Sequence, residues 1–217
     1  AGLTSHDCVN RLRRVFGLKK VGHGGTLDPS VTGVLPIAIG NATRLISYLQ
    51  GSKAYTGIIQ LGVNTNTDDM QGEVLQSKNW PIISKSSLND LLDNFRGEIL
   101  QKPPIFSSVH LKGERSYKKA RRGENFNLPP KKIKINKLRL ISWSQKEGEL
   151  VVDVDCSTGT YIRSLARDIG AKIGCGGCLK RLRRTKANNF NENHAILLPE
   201  KLDFYPEESR PKILKPN

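Results

Sequence analysis

Long apolar runs are missing from this chain, and no stretch approaches the roughly 20 residues that a membrane-spanning helix requires. No signal-peptide pattern opens the sequence either, so we expect an intracellular, cytoplasmic protein, with an organellar location as the alternative. Acidic residues are scarce, with 20 Asp and Glu against 35 Lys and Arg, which leaves a formal net charge of +15. Because such an excess favours a polyanionic partner, nucleic acid is a better candidate than a membrane surface.

Cysteine is also scarce, and four cysteines in 217 residues make a poor disulfide framework for an intracellular chain. Cys175 and Cys178 form one C-x-x-C pair, but a zinc site needs a second pair of Cys or His ligands, and the histidines are scattered. The glycine-rich phosphate-binding motifs of nucleotide enzymes are absent from the sequence. We therefore predict that Cys175 and Cys178 are structural thiols beside a glycine turn.

The basic residues fall into three clusters along the chain. The clusters are Lys112, Arg115, Lys118, Lys119, Arg121 and Arg122; Lys131, Lys132, Lys134, Lys137 and Arg139; and Lys180, Arg181, Arg183, Arg184 and Lys186. Solvated faces of a basic protein are one interpretation. Because acids are almost absent from the third cluster, we favour contact with nucleic acid, with the clusters forming one footprint.

Hydrophobic spacing and capping residues predict four helices, and the alternation of apolar with polar residues predicts strands. The helices run from the cap at 4–5 to Gly17, over 42–49, from a cap at 84 or 86 to Gly97, and over 160–173; the strands occupy 54–62, 133–142 and 150–156. These helices and strands interleave irregularly and do not show the length pattern of repeated βαβ units. We therefore predict an α+β fold with a large mixed, mostly antiparallel sheet flanked by helices.

The loop at residues 22–33, GHGGTLDPSVTG, contains a single acidic side chain, Asp28. Its glycines let the backbone approach a ligand closely, and Pro29 restricts the dihedral directly after the carboxylate. A carboxylate presented in this way suits a nucleophile or a general base. A turn in which Asp28 bonds its own backbone is the alternative, and from this loop alone it is the commoner outcome.

Six motifs decide between these interpretations, because together they resemble one family. They are GLTSHDCVNRLR at 2–13, VGHGGTLDPSVTGVLPIAIGNATRL at 21–45, KAYTGIIQLG at 53–62, TNTDDMQGEV at 65–74, PPIFSSVHLKGERSYKKARRGE at 103–124, and CSTGTYIRSLARDIGAKIGCGGCLKRLRRT at 156–185. In this order they resemble the bacterial TruB-type tRNA pseudouridine synthases. That family isomerises the T-loop uridine at position 55 of tRNA, and the resemblance covers nearly the whole chain.

The resemblance implies three catalytic residues. Asp28 matches the family's nucleophile, with attack on the sugar, attack on the base and a glycal route as alternative chemistries. Arg163 matches the arginine that pairs with this carboxylate; an exposed helix charge in a stripe with Arg167 is the alternative. Tyr55 matches the tyrosine that stacks on the target uracil and assists the proton transfer from its carbon; a core aromatic is the alternative.

The resemblance also implies residues that hold the RNA. Tyr161 and Leu182 match pocket residues, although for Leu182 a core position is about equally expected. His23 matches the histidine that fills the T-loop when the nucleotide flips out, and Asp69 matches an acidic residue that orders the site. The exposed charges expected to contact RNA are Lys180, Arg181 and Arg183.

No cofactor is expected, because the isomerisation is redox-neutral, and no metal is assigned. A Mg²⁺ site formed by Asp68, Asp69 and Glu73 is the competing idea, but solvated loop carboxylates are commoner. We expect residues 1–198 to form the catalytic domain without its first strand. Residues 199–217 are expected to form a loosely packed tail with no complete PUA domain.

The expected partner is the T-arm stem-loop of tRNA, bound by a monomer with no membrane association. A guide-RNA-dependent pseudouridine synthase is one alternative, because it shares the GTLDP loop. A non-catalytic tRNA-binding or tRNA-folding module is the other. The presence of Asp28, Tyr55 and Arg163 together argues against a decayed site.

Overall fold

The computed structural model describes residues 1–198, so the predicted tail at 199–217 lies outside the described residues. The chain divides into two compact units. Of the described residues, the first unit contains 1–52 and 183–198, and the second contains 53–182.

The first unit begins with helix α1, Ser5–Val15, as the sequence predicts. Thr4 is its N-cap: the Thr4 hydroxyl accepts from the Asp7 backbone N–H, and the Asp7 carboxylate accepts from the Thr4 backbone N–H. This capping box satisfies two donors that the first turn would otherwise leave without partners. Val9 and Leu12, one turn apart, are buried in a small core with Val21.

Three short strands follow α1 in the first unit: β1 at Val21–His23, β2 at Thr32–Gly33 and β3 at Ile37–Ile39, with β1 antiparallel to β3. The α-helix predicted over 42–49 is wrong, because Gly40–Tyr48 forms a 3₁₀ helix. None of its residues is buried and no side chain caps it. Most α-helices in proteins are stabilised by packing a well-buried apolar face, and the apolar residues of this segment are at most half-buried.

The second unit contains three helices and most of the strands. They are β4 Lys53–Leu61, β5 Val63–Thr65, β6 Val74–Ser77, α2 Lys85–Asp93, β7 Gly97–Gln101, β8 His110–Leu111, β9 Glu114–Arg115, α3 Ser116–Arg121, β10 Lys131–Ser144, β11 Glu149–Cys156, α4 Ile162–Ile173 and β12 Gly177–Ala187. The order in the main sheet is β12-β4-β11-β10-β7. The pairs β4–β11, β10–β11 and β7–β10 are antiparallel, which confirms the predicted fold class.

The alternation of buried and half-buried residues along the strands determines where the core of this sheet lies. Every second residue of β11 is buried, including Leu150 and Val152, while α4 buries Leu165 and Ile169. The predicted strands at 54–62, 133–142 and 150–156 and the predicted helix at 160–173 are confirmed. The predicted helix at 84–97 is confirmed as α2, with Ser84 as its N-cap.

Strand β12 is absent from the predictions, although it carries the third basic cluster. Its end belongs to the first unit, where Arg183 and Arg184 pair in parallel with β2, and residues 186–187 pair antiparallel with β13, Phe190–Asn191. A short 3₁₀ turn, Glu192–His194, follows. Two adjacent exposed residues, Lys180 and Arg181, interrupt the alternation that would have indicated a strand.

No helix within residues 1–198 is long and apolar enough to cross a membrane. The four cysteines, all of which lie in this region, are free thiols. Cys175 and Cys178 are buried, in agreement with a structural role. Burial raises the pKa of Cys156 and of Cys178 to about 11, and it also raises the pKa of Cys8 and Cys175.

These thiols should differ sharply in reactivity. Only the thiolate attacks disulfide reagents, so buried thiols of raised pKa should be inert at about pH 8. In the native protein we expect one accessible thiol, half-buried Cys8, and in denaturant all four. Titration with Ellman's reagent measures this, and Cys8→Ser should remove the native signal. Rapid reaction of two or more native thiols would contradict the burial of the other cysteines.

Candidate active site

The loop that carries Asp28 is fixed to the start of the first unit by main-chain contacts on both sides. The Leu27 N–H donates to the buried Ser5 hydroxyl at 2.8 Å, and that hydroxyl lies 3.3 Å from the Leu27 carbonyl oxygen. On the other side, the Gly2 N–H donates to the Pro29 carbonyl at 2.7 Å. The Asp28 backbone is therefore held directly before and directly after the carboxylate.

Arg184 supports the same loop from β12, and it is fully buried. Its guanidinium donates to the carbonyls of Val34 at 2.8 Å, Thr26 at 3.2 Å and Gly25 at 3.2 Å. The prediction that Arg184 belongs to an exposed RNA-binding cluster is therefore wrong, since this side chain does not reach the surface. Exposed Arg183, its neighbour, forms an ion pair with Glu192.

His23 is half-buried on β1 in the first unit. Burial lowers its pKa, and the nearby His6 and Arg184 lower it further. The neutral imidazole is therefore favoured near neutral pH. Its Nδ1 is buried and has no hydrogen-bond partner within residues 1–198. The predicted role of His23 in the T-loop stays a prediction.

Arg163, in the first turn of α4 in the second unit, is only 8% exposed, so the alternative of an exposed helix charge is wrong. Its guanidinium donates to the main-chain carbonyls of Thr67 and Phe106, both at 3.0 Å. The Asp69 carboxylate lies 3.8 Å from its Nε. The structure thus brings together two of the predicted site residues, Arg163 and Asp69.

The loop between β5 and β6 holds Asp69 in place. Its carboxylate accepts from the Thr67 hydroxyl at 2.7 Å and from the Gln71 N–H at 3.0 Å. The preceding residue, Asp68, adopts a φ of 61° and pairs with Arg167 at 2.7 Å. Burial raises the pKa of Asp68, and the charge of Arg167 opposes that shift.

The alternative Mg²⁺ site at this loop gains no support. Asp68 and Asp69 each face an arginine, and Glu73 is exposed. Carboxylates that neutralise guanidinium groups are poorly placed to bind a cation as well. Across residues 1–198, no group of three or more His, Cys, Asp or Glu side chains is arranged to hold a metal ion.

Tyr55 is a buried residue of β4, 8% exposed, within the core of the second unit and opposite Val154 of β11. A core position is therefore established for its ring, and its predicted contact with uracil stays a prediction. Leu182 is half-buried and packs against the same core. Its Cδ1 would lie 3.2 Å from a Cβ at Gly57, so a larger residue on β4 would press against it.

Tyr161 directly precedes α4, and buried Gln101 at the end of β7 fixes its main chain. The Tyr161 N–H donates to Gln101 Oε1 at 2.9 Å, and its carbonyl accepts from Gln101 Nε2 at 3.1 Å. Sequence reasoning missed Gln101. A glutamine two residues before Pro103 in a strand carried no signal that its side chain would be buried against a loop 60 residues away.

The remaining basic residues are exposed to different extents and many have acidic partners. Lys180 pairs with Glu149, whereas the exposed Arg181 side chain makes no hydrogen bond or ion pair within residues 1–198. In the other two clusters the paired residues are Arg122 with Glu114 and Glu124, Lys119 with the same two acids, Lys132 with Glu98, and Arg139 with Asp153. Unpaired or weakly paired cations are the ones best placed to neutralise phosphates.

A family model described as TruB family pseudouridylate synthase, N-terminal domain, matches residues 13–162. The chain belongs to the TruB family. A second model, described as the tRNA pseudouridylate synthase B C-terminal domain, matches residues 163–216 of this TruB chain. Both matches confirm the predicted family and the predicted enzyme class, a pseudouridine synthase.

Curated relatives named tRNA pseudouridine synthase B agree with this placement of the TruB chain. A protein from Prochlorococcus marinus (strain NATL1A) is 78% identical over 217 residues, which is all of this chain and 69% of the relative. Another, from Synechococcus sp. (strain CC9311), is 55% identical over 216 residues, and that match covers 100% of this chain and 71% of the relative.

Solved structures support the fold. A chain in the crystal structure of a Cbf5-Nop10-Gar1 complex is 30% identical with a TM-score of 0.67, and the match covers 88% of this chain and 47% of that one. A chain in an H/ACA RNP bound to a substrate RNA containing 2'-deoxyuridine is 27% identical with a TM-score of 0.65. That match covers 90% of this chain and 47% of the other. The TruB chain therefore spans about half the length of these solved chains. The chain is far more similar in sequence to the relatives named tRNA pseudouridine synthase B than to these solved chains, so the guide-RNA alternative is not favoured.

Proposed function

We propose that this TruB-family chain converts the T-loop uridine at position 55 of tRNA to pseudouridine, with Asp28 as the nucleophile. The observation that carries the proposal is the fixed Asp28 loop, whose backbone is held by Ser5, Gly2 and Arg184. A catalytic carboxylate must be held close to its productive geometry, because small displacements of reacting atoms are costly. A loop that merely connects two strands does not require three independent anchors.

The reaction is an isomerisation and needs no external reactant. The bond between uracil N1 and ribose C1′ breaks, the uracil rotates, and a new bond forms between C5 and C1′. C5 then loses its proton and N1 carries one, so atoms and electrons balance without an oxidant or reductant. A carboxylate that stabilises the detached state and then departs is sufficient, and no cofactor takes part in this scheme.

The base must leave the folded T-loop first, at an unstacking cost of a few kcal/mol. In our proposal Tyr55 stacks on the flipped uracil, which returns roughly 1–3 kcal/mol, and Tyr161 and Leu182 complete the pocket. Arg163 acts on the same uridine by pairing with the Asp28 carboxylate. The two main-chain carbonyls and Asp69 that bind Arg163 support this role, since they fix its guanidinium in advance.

Binding of the T-arm stem-loop, in this proposal, uses the exposed basic residues Lys180, Arg181 and Arg183 on phosphates, while His23 fills the space that the flipped base leaves. A neutral His23 supports that role, because an uncharged imidazole stacks among bases without the cost of burying a charge. We also propose that the protein acts as a cytoplasmic monomer, with residues 1–198 as its catalytic domain.

The decisive experiment incubates the 217-residue chain with unmodified tRNA transcript and with a T-arm stem-loop, without added RNA of any other kind. Chemical mapping should find pseudouridine at position 55 in both substrates. A stem-loop with cytidine at position 55 is the matched control and should stay unmodified. RNA binding without any product would favour the non-catalytic module, and product formed only after adding a guide RNA would favour that alternative.

A further inference from the structure

Arg184 is an unusual residue in the first unit, because its charged side chain is completely buried. Within residues 1–198, Arg163 and Arg184 are the two charged residues in the buried class, and Arg184 is 0% exposed. Burying a charge is expensive unless hydrogen bonds compensate for the lost water. Its position therefore calls for a reason beyond packing.

Three main-chain partners of the Arg184 side chain come from the Asp28 loop and the residue that follows it. Gly25 and Thr26 precede Asp28 in that loop, and Val34 follows it, so the guanidinium joins the two arms that lead to and from Asp28. Three donors in a rigid plane can serve three carbonyls at once, whereas a lysine ammonium is a single point on a flexible stem.

The main chain of Arg184 contacts the same loop. Its carbonyl accepts from the Val34 N–H at 2.8 Å, and its backbone pairs in register with Gly33. Gly33 has a φ of 106°, and a Cβ there would overlap the Arg184 carbonyl group. The close approach of the two backbones therefore requires glycine at position 33. This approach places the Arg184 guanidinium within hydrogen-bond distance of the loop carbonyls.

We propose that Arg184 is a positioning residue for Asp28: its buried guanidinium fixes the geometry of the catalytic loop, and it does not bind RNA. The inference rests on the proposed nucleophilic role of Asp28. Because a misplacement of about 1 Å can cost on the order of 100-fold in rate, losing this clamp should affect the chemical step. RNA affinity should change little, because the side chain is not exposed.

The test separates rate from binding in single-turnover reactions on the T-arm stem-loop. Arg184→Met should lower the rate at saturating enzyme by about 100-fold, with the dissociation constant for RNA close to that of wild type. Arg14→Met, at an exposed position of α1, is the matched control. It should leave both the saturating rate and the RNA affinity close to those of wild type. Circular dichroism and thermal unfolding report the folded fraction of each variant.

Arg184→Lys keeps the charge but loses the planar fork, so an intermediate rate, about tenfold below wild type, is expected at unchanged RNA affinity. This variant decides the matter if Arg184→Met does not fold. A folded Arg184→Lys or Arg184→Met protein that reacts at the wild-type rate would overturn the proposal. So would a loss of RNA affinity with an unchanged saturating rate. Inactivity of the wild-type chain itself would instead count against the proposed function.

Discussion

Replacing Asp28 with asparagine should abolish pseudouridine formation while leaving a folded protein that still binds the T-arm stem-loop. Asparagine has nearly the same shape as aspartate but is not a nucleophile. Loss of a nucleophile typically costs at least about 10⁴-fold in rate, so the residual activity should fall to background. The contacts from Ser5 to Leu27 and from Gly2 to Pro29 involve neighbouring residues and should survive the change.

This result needs three measurements on the same preparation: product formation, RNA affinity and thermal stability. Asp90→Asn, on the exposed side of α2, removes one acidic charge elsewhere and should behave like wild type in all three. If Asp28→Asn keeps substantial activity, the nucleophile is a different residue. If it binds no RNA while remaining folded, Asp28 serves recognition and not chemistry.

Replacing Gly170 with alanine should destabilise the second unit, although alanine is normally the better helix former by about 1 kcal/mol. Gly170 lies in α4 where the helix contacts the start of β12, and a Cβ there would overlap main-chain atoms of Gly176 and Gly177. The backbone cannot move aside as a flexible side chain would. Overpacking of this kind costs typically 1–3 kcal/mol, and we expect about 3 kcal/mol of lost unfolding free energy.

Equilibrium unfolding in urea checks the predicted loss of stability in Gly170→Ala, because the midpoint and the slope of the unfolding transition give the free energy of unfolding. Lys172→Ala, at an exposed position of the same helix, is the control and should change stability by less than about 0.5 kcal/mol. A Gly170→Ala protein as stable as wild type would show that α4 can separate from the β12 turn without cost. A more stable variant would show that helix propensity outweighs this contact.

Much of the fold follows from local sequence signals, and the exceptions have physical causes. Helix α1 carries both a capping box and a regular apolar face, and β11 alternates cleanly between buried and half-buried residues. The segment 42–49 has the apolar spacing of an α-helix but fully buries none of its residues, so the spacing misleads. Strand β12 was missed because charge obscures its alternation.

The candidate site was less predictable from the residues themselves. Asp28, Tyr55 and Arg163 were identified through the family resemblance, since spacing alone favoured a turn, a core aromatic and an exposed charge. Arg183 and Arg184 are identical neighbours in the sequence, yet one is exposed and the other fully buried. Which of the two side chains points inward depends on strand pairing with β2, and that pairing joins residues about 150 positions apart in the chain.

The unequal burial of the four thiols makes the natural protein ready for single-site labelling. A maleimide dye should attach at Cys8 alone, without any engineered substitution. Cys8 lies on α1 one turn after Ser5, the residue that binds Leu27 beside Asp28. Fluorescence from that position can therefore follow the Asp28 loop in real time as RNA arrives and departs.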